Sequence, residues 1–228
     1  MFDPGPLNPL AYWLHVVLGF STVVFALLAL SSRKGGQLHR RAGQVFAVAM
    51  IVAALTAMQF FAVIGPAPPV AVSALSAIYC IGMAILSVRH RTGWQRALQW
   101  AMILIPVAIA LLYVAFIAFA FIFPEVPLYL AILGPLAATI YAVMAWSDWK
   151  FMRSASVSKS QRARRHGLRM AVACVEVVRA PAISFGPQFL GEATFDLYSF
   201  GPYLLVPVFY FLALPDWLKQ EAPATSEA

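Results

Sequence analysis

Charge is what this sequence has least of. Only 11% of its 228 residues are Asp, Glu, Lys or Arg, where a soluble domain carries about a quarter. A long polar segment is also missing, so no separate soluble domain can fold beside the apolar part. Cysteine is nearly absent: Cys80 and Cys174 both sit inside apolar stretches, at a spacing that makes neither a redox nor a metal motif. They read as small packing residues. The first ten residues, MFDPGPLNPL, contain no Lys or Arg. They therefore lack the basic start of a signal peptide, and the first apolar stretch is expected to be a retained helix. Phosphate-binding glycine loops are absent, and no Ser or Thr has a neighbouring His that would suggest nucleophilic catalysis.

What remains is apolar. The hydrophobic share is 62% and mean hydropathy is +0.80. A run of about 20 apolar residues spans the hydrocarbon core of a bilayer as a helix. Seven such runs are present, at 9–31, 43–64, 69–88, 97–123, 127–149, 166–190 and 197–214. The expected fold is an all-α, polytopic membrane bundle of seven transmembrane helices occupying residues 1–215, followed by a short polar, disordered tail at 216–228.

Net charge is +7. Nucleic acid is excluded as the reason, because the positive residues lie in short connectors between apolar spans. Fourteen of the 16 Lys and Arg fall in the 1–2, 3–4 and 5–6 connectors and the C-terminal tail. The other two, Arg169 and Arg179, lie within the sixth span. The opposite connectors carry only Asp3, Glu125, Glu192 and Asp196. By the positive-inside rule this alternation predicts an outer N-terminus and a cytoplasmic C-terminus, in a bacterial-type inner membrane. The partners expected are the bilayer itself and, at the cytoplasmic basic loops, anionic lipid headgroups. The Ser-rich basic run 153–165 is the longest of those loops.

The sixth span is unusual. Glu176 and Arg179 lie near its middle, three residues apart on one face, with Arg169 on the same stripe. Ionisable groups in the hydrocarbon core cost about 3 kcal/mol each unless they face the bundle interior or water. Pro181 and the Gly186-Pro187 pair are expected to kink or break the helix just beyond them. At about 1.5 Å per residue, His15 of the first span lies about 9 Å below the outer surface, and Arg179 about 10 Å. Gln59 falls in the same layer. His15, Gln59, Glu176 and Arg179 are therefore the candidate ligand or proton site. The bland alternative is an ion pair that fixes helix packing.

A second candidate cluster lies at the inner surface: His39, His90, His166 and Asp148. Imidazoles with a carboxylate can hold a divalent metal, and His39 with His166 can hold haem. No pair has the helical HxxxH or HExxH spacing.

Helix one and its connector carry a motif. His15-x-x-x-Gly19 is followed by Lys34-Gly35 and then by His39-Arg40-x-x-Gly43. This resembles a widespread, uncharacterised family of bacterial multipass membrane proteins grouped as a domain of unknown function. The resemblance covers roughly residues 10–65. It implies a small multipass bundle and transfers no reaction. No resemblance to seven-helix retinal proteins exists, since the seventh span has no Lys.

Three functions are open on this reading. One is binding or transport of a small molecule or protons at His15, Glu176 and Arg179. Another is a membrane oxidoreductase holding haem, quinone or metal. The last is a non-catalytic subunit that pairs with a membrane partner or with itself.

Overall fold

A computed structural model describes residues 8–64, 68–89, 93–122, 128–154, 156–190 and 201–219. Among them every regular element is helical. Six long helices come first: α1 (Pro9–Ser31), α2 (Gln37–Ile64), α3 (Pro68–Val88), α4 (Gly93–Ile122), α5 (Leu128–Arg153) and α6 (Lys159–Leu190). A 3-10 turn (Gly201–Leu205) leads into α7 (Val206–Ala213), and a last turn, α8, covers Asp216–Lys219. The first turn of the C-terminal tail is thus helical.

Among the described residues four helices are long and apolar enough to cross a membrane, within Pro9–Ser31, Gln37–Gln59, Ala71–Val88 and Gly93–Ala115. Gly201–Ala213 is a shorter apolar helix. The apolar-run boundaries hold well at the helix ends away from the basic connectors and less well beside them. There α2 starts six residues early, α5 runs four further and α6 starts seven early. A helix need not stop where the hydrocarbon stops, because Lys and Arg continue it into the headgroup layer.

Local chemistry sets the ends. Asn8 caps α1, its side chain accepting from Ala11 N at 3.1 Å, and Pro9 opens the first turn. Ser158 and Gln161 form a reciprocal capping box at α6: Gln161 N donates to Ser158 Oγ at 3.1 Å, and Ser158 N donates to Gln161 Oε1 at 2.9 Å. Much of the basic run expected to be a loop is therefore the first two turns of a helix.

The α1–α2 turn is built by its motif residues. Gly35 takes φ 78°, which a Cβ would strain. Lys34 Nζ donates to Leu30 O at 2.5 Å and Ala29 O at 3.2 Å, and His39 Nδ1 donates to Ala29 O at 3.0 Å. These are the carbonyls that a helix C-terminus leaves unpaired, at its negative end. Gly19 and Gly43 differ, since a Cβ at either would meet nothing within 4 Å.

The interior is inverted relative to a soluble protein. Leu10, Phe20, Leu104, Leu111, Ile122 and Leu204 are exposed, while Asp148, Arg169, Glu176 and Arg179 are at most 1% exposed. Wide apolar faces on α1 and α4 need an apolar solvent. The α3 helix packs against α2, α4 and α6, and α6 packs also against α7 and the 3-10 turn. Residues 171–177 of α6 are buried without a break. The most charged long helix is therefore central. Pro181, Gly186 and Pro187 do not end it; α6 continues to Leu190. Within a bundle, neighbouring groups take up the carbonyls a proline frees.

Candidate functional site

The α3–α6 interface carries two polar clusters, one beside each end of a common stripe on α6. That stripe runs through Arg165, Arg169, Glu176 and Arg179, at three-, four- and seven-residue intervals that stack on one helical face. Between the clusters α3 contributes Ser76 and Cys80, both fully buried.

The first cluster is centred on Glu176. Its Oε2 accepts from Arg179 Nη1 at 3.0 Å and from Ser73 Oγ at 2.8 Å. Arg179 Nη1 also donates to Ser73 Oγ, so the Ser73 hydroxyl accepts from the cation and donates to the anion. Tyr203 OH donates to Oε1 at 2.8 Å. Behind it, Tyr203 and Tyr141 share a hydroxyl–hydroxyl hydrogen bond of 3.1 Å. The Arg179 guanidinium lies 5.5 Å from the Tyr203 ring centre, and Tyr141 stacks on Tyr113 with centroids 6.3 Å apart. Five elements meet here: α3, α4, α5, α6 and the 3-10 turn.

This arrangement makes both charges tolerable in a dry interior. The carboxylate receives three donors besides its ionic attraction to Arg179, which is what a buried pair needs to offset desolvation. It also makes a line of exchangeable protons, Glu176–Tyr203–Tyr141, in which each hydroxyl can accept one proton and release another. Ser76 lies next, electrostatically adjacent to both Tyr141 and Cys80.

The candidate residues of this layer divide. Glu176 and Arg179 are paired. His15 faces α2, where its Nδ1 bonds Ala53 O at 2.8 Å and lies 3.3 Å from Thr56 Oγ1. Gln59, further along α2, has a buried Nε2 without a partner among the described residues.

The second cluster is centred on Asp148 of α5. Its Oδ1 accepts from Arg165 Nη2 at 2.7 Å, Arg165 Nε at 2.8 Å and Arg169 Nη2 at 2.8 Å. Its Oδ2 accepts from Tyr79 OH of α3. Arg169 Nη2 reaches Ser147 Oγ at 2.9 Å and Met144 O at 3.1 Å as well. Asp148 therefore keeps company with two guanidiniums rather than with imidazoles. Two fixed positive charges at one carboxylate oppose a metal cation there.

The histidines share another feature. His39 Nδ1 bonds Ala29 O, and His166 Nδ1 bonds Ala84 O, each at 3.0 Å. A carbonyl accepts only, so Nδ1 carries the proton in His15, His39 and His166, and Nε2 is left as the basic nitrogen. His39 and His166 are electrostatic neighbours at the inner end of the bundle. His90 lies outside the described residues. Among the described residues no group of three or more His, Cys, Asp or Glu is placed to hold a metal ion.

Sequence reasoning missed Ser73, Tyr141 and Tyr203 around Glu176, and Arg165 and Tyr79 around Asp148. A tyrosine inside an apolar run gives no signal that separates a relay hydroxyl from ordinary packing. Only Arg165 left a signal, since with Arg169 it extends the Glu176–Arg179 stripe by about three turns. No protein-family model, curated protein or solved structure matches this chain.

Proposed function

We propose that this chain is a bacterial cytoplasmic-membrane protein of seven transmembrane helices, with the N-terminus outside, and that it handles protons at Glu176. The site either moves protons through the bundle or couples their uptake to a small molecule bound beside Arg179. One observation carries this reading: a buried carboxylate is joined to a hydroxyl chain. Glu176 Oε1 accepts from Tyr203, and Tyr203 is bonded to Tyr141. A pair needed only for packing requires donors on its own lone pairs, and the further bond from Tyr203 to Tyr141 goes beyond that need. Arg179 places a fixed positive charge against Glu176, 3.0 Å from Oε2. The basic inner connectors and acidic outer ones support the orientation.

The test is proton movement in vesicles. Purified protein reconstituted with a trapped pH-sensitive dye should collapse an imposed pH gradient faster than empty vesicles. E176Q should not, and Y203F should be slower than the parent. Equal rates for parent and E176Q would sink the reading.

A second reading, a membrane oxidoreductase holding haem or a metal, is favoured by the histidines. An imidazole whose Nδ1–H is fixed by a carbonyl presents Nε2 in the form that ligates a metal or haem iron. His39 and His166 both meet that condition. An absorption spectrum of the purified protein, before and after reduction, decides it: a Soret band supports haem, and a featureless visible spectrum removes it. The family-like motif favours neither, because Lys34, Gly35 and His39 all serve to close the α1–α2 turn.

A further inference from the structure

The Asp148 cluster holds more positive charge than it neutralises. Arg165 and Arg169 are two cations, and Asp148 is the carboxylate that both of them contact. Both Nη2 atoms bond the same oxygen, at 2.7 and 2.8 Å, so the guanidiniums are held side by side. Their other edges are unused. Arg165 Nη1, Arg169 Nε and Arg169 Nη1 are buried and have no hydrogen-bond partner among the described residues. The Arg169 side chain is completely buried. Aromatic faces cover the two cations, Phe151 at 3.9 Å from the Arg165 guanidinium and Tyr79 at 5.5 Å from that of Arg169. A ring face attracts the charge but leaves in-plane N–H groups without acceptors.

Buried donors are almost always paired, and a buried charge is almost always balanced. Water would satisfy the first condition only. An anion with several acceptor oxygens satisfies both. We infer that Arg165 and Arg169 form a binding site for one phosphate-type oxyanion at the inner end of α6. The planar guanidinium suits such oxygens, giving two parallel donors from one side chain. Asp148 orients the two arginines and competes with the anion for them. Access is from the cytoplasmic end, where Arg165 is the slightly open member at 7% side-chain exposure. Exposed Lys150, Arg153, Lys159 and Arg164 gather anions around it. The oxygens can come from free inorganic phosphate or from the headgroup of an anionic lipid. The site is separate from Glu176 and stands whether or not protons move there.

The experiment uses the full chain, purified in neutral detergent without anionic lipid. One arm titrates inorganic phosphate calorimetrically in a buffer without competing oxyanions. The other measures retention of phosphatidylglycerol against phosphatidylcholine by native mass spectrometry. One equivalent of phosphate bound identifies a free oxyanion, and one retained phosphatidylglycerol without a phosphate response identifies the lipid headgroup. In the responding arm R169Q should bind roughly tenfold more weakly or worse, the loss expected for charge-assisted hydrogen bonds. D148N should bind more tightly, since it removes the competing carboxylate. R165Q, at the open rim, repeats the R169Q measurement where that variant does not fold. Failure of the parent protein in both arms, or unchanged binding in R169Q and R165Q, overturns the site.

Discussion

Arg179 and Ser73, 106 residues apart in sequence, meet across the α3–α6 interface. The Ser73 hydroxyl accepts from the guanidinium and passes its own proton toward Glu176 Oε2, 2.8 Å away. A small side chain on α3 thus completes an ion pair that belongs to α6. The pair's two members are both on one helix, so it does not by itself bind helices together. Ser73 and Tyr203 are what tie that pair to its neighbours.

Removing one member of this pair leaves the other charged and buried. R179M should therefore lower unfolding stability in micelles by about 3 kcal/mol, the usual scale for a broken buried pair. The double variant E176Q/R179M leaves no charged group at this site and should recover part of that loss. A single variant as stable as the parent would mean that the pair is solvated in the membrane-embedded protein.

The hydroxyls around Glu176 should separate stability from function. Y203F and S73A each delete one donor to the carboxylate, and each should cost about 1–2 kcal/mol. Only Y203F interrupts the line to Tyr141. It should slow proton movement in vesicles more than S73A does, at comparable loss of stability. Equal slowing by both would move the role from the hydroxyl chain to the carboxylate's charge alone.

The two halves of the family-like motif should respond differently. G35A forces a Cβ onto a residue with φ 78° and should destabilise by about 1 kcal/mol. G36A is crowded as well, its Cβ falling 2.9 Å from Arg33 O. G19A and G43A meet open space in this fold and should leave stability unchanged. Thermal unfolding of the four variants checks this. A large effect of G19A or G43A would point to a partner, lipid or second copy against those faces.

The start of α6 should depend on Ser158. S158A deletes the side-chain half of the capping box and should cost about 1 kcal/mol, felt locally. Faster amide exchange at residues 159–162, with residues 171–177 unchanged, is the expected pattern. Uniform acceleration along α6 would show that the cap governs the whole helix.

Much of this protein is legible in its amino-acid sequence. The apolar runs locate six long helices to within a few residues at the ends away from the basic connectors, because lipid thickness fixes how many apolar residues a span needs. Glu176 and Arg179 stand out because charge in such a run needs a reason. The basic run around Ser158 suggests a loop, yet the serine and Gln161 three residues on have the spacing of a capping box. Polar composition describes solvent exposure there, whereas helicity follows from the cap and the residues after it.

What the sequence determined alone is the helical class, the long apolar runs and the placing of Glu176 and Arg179 on one face of one helix, since periodicity and neighbours along one helix are local properties. Tertiary structure decided everything that depends on which helices touch. It put His15 against α2 and gave Glu176 its company of Ser73 and Tyr203 instead. It also drew Asp148 away from the histidines to Arg165 and Arg169, and kept α6 helical past Pro181. Each of those outcomes joins residues on different segments, and helix packing is set by the fit of whole faces, which no single stretch of sequence contains.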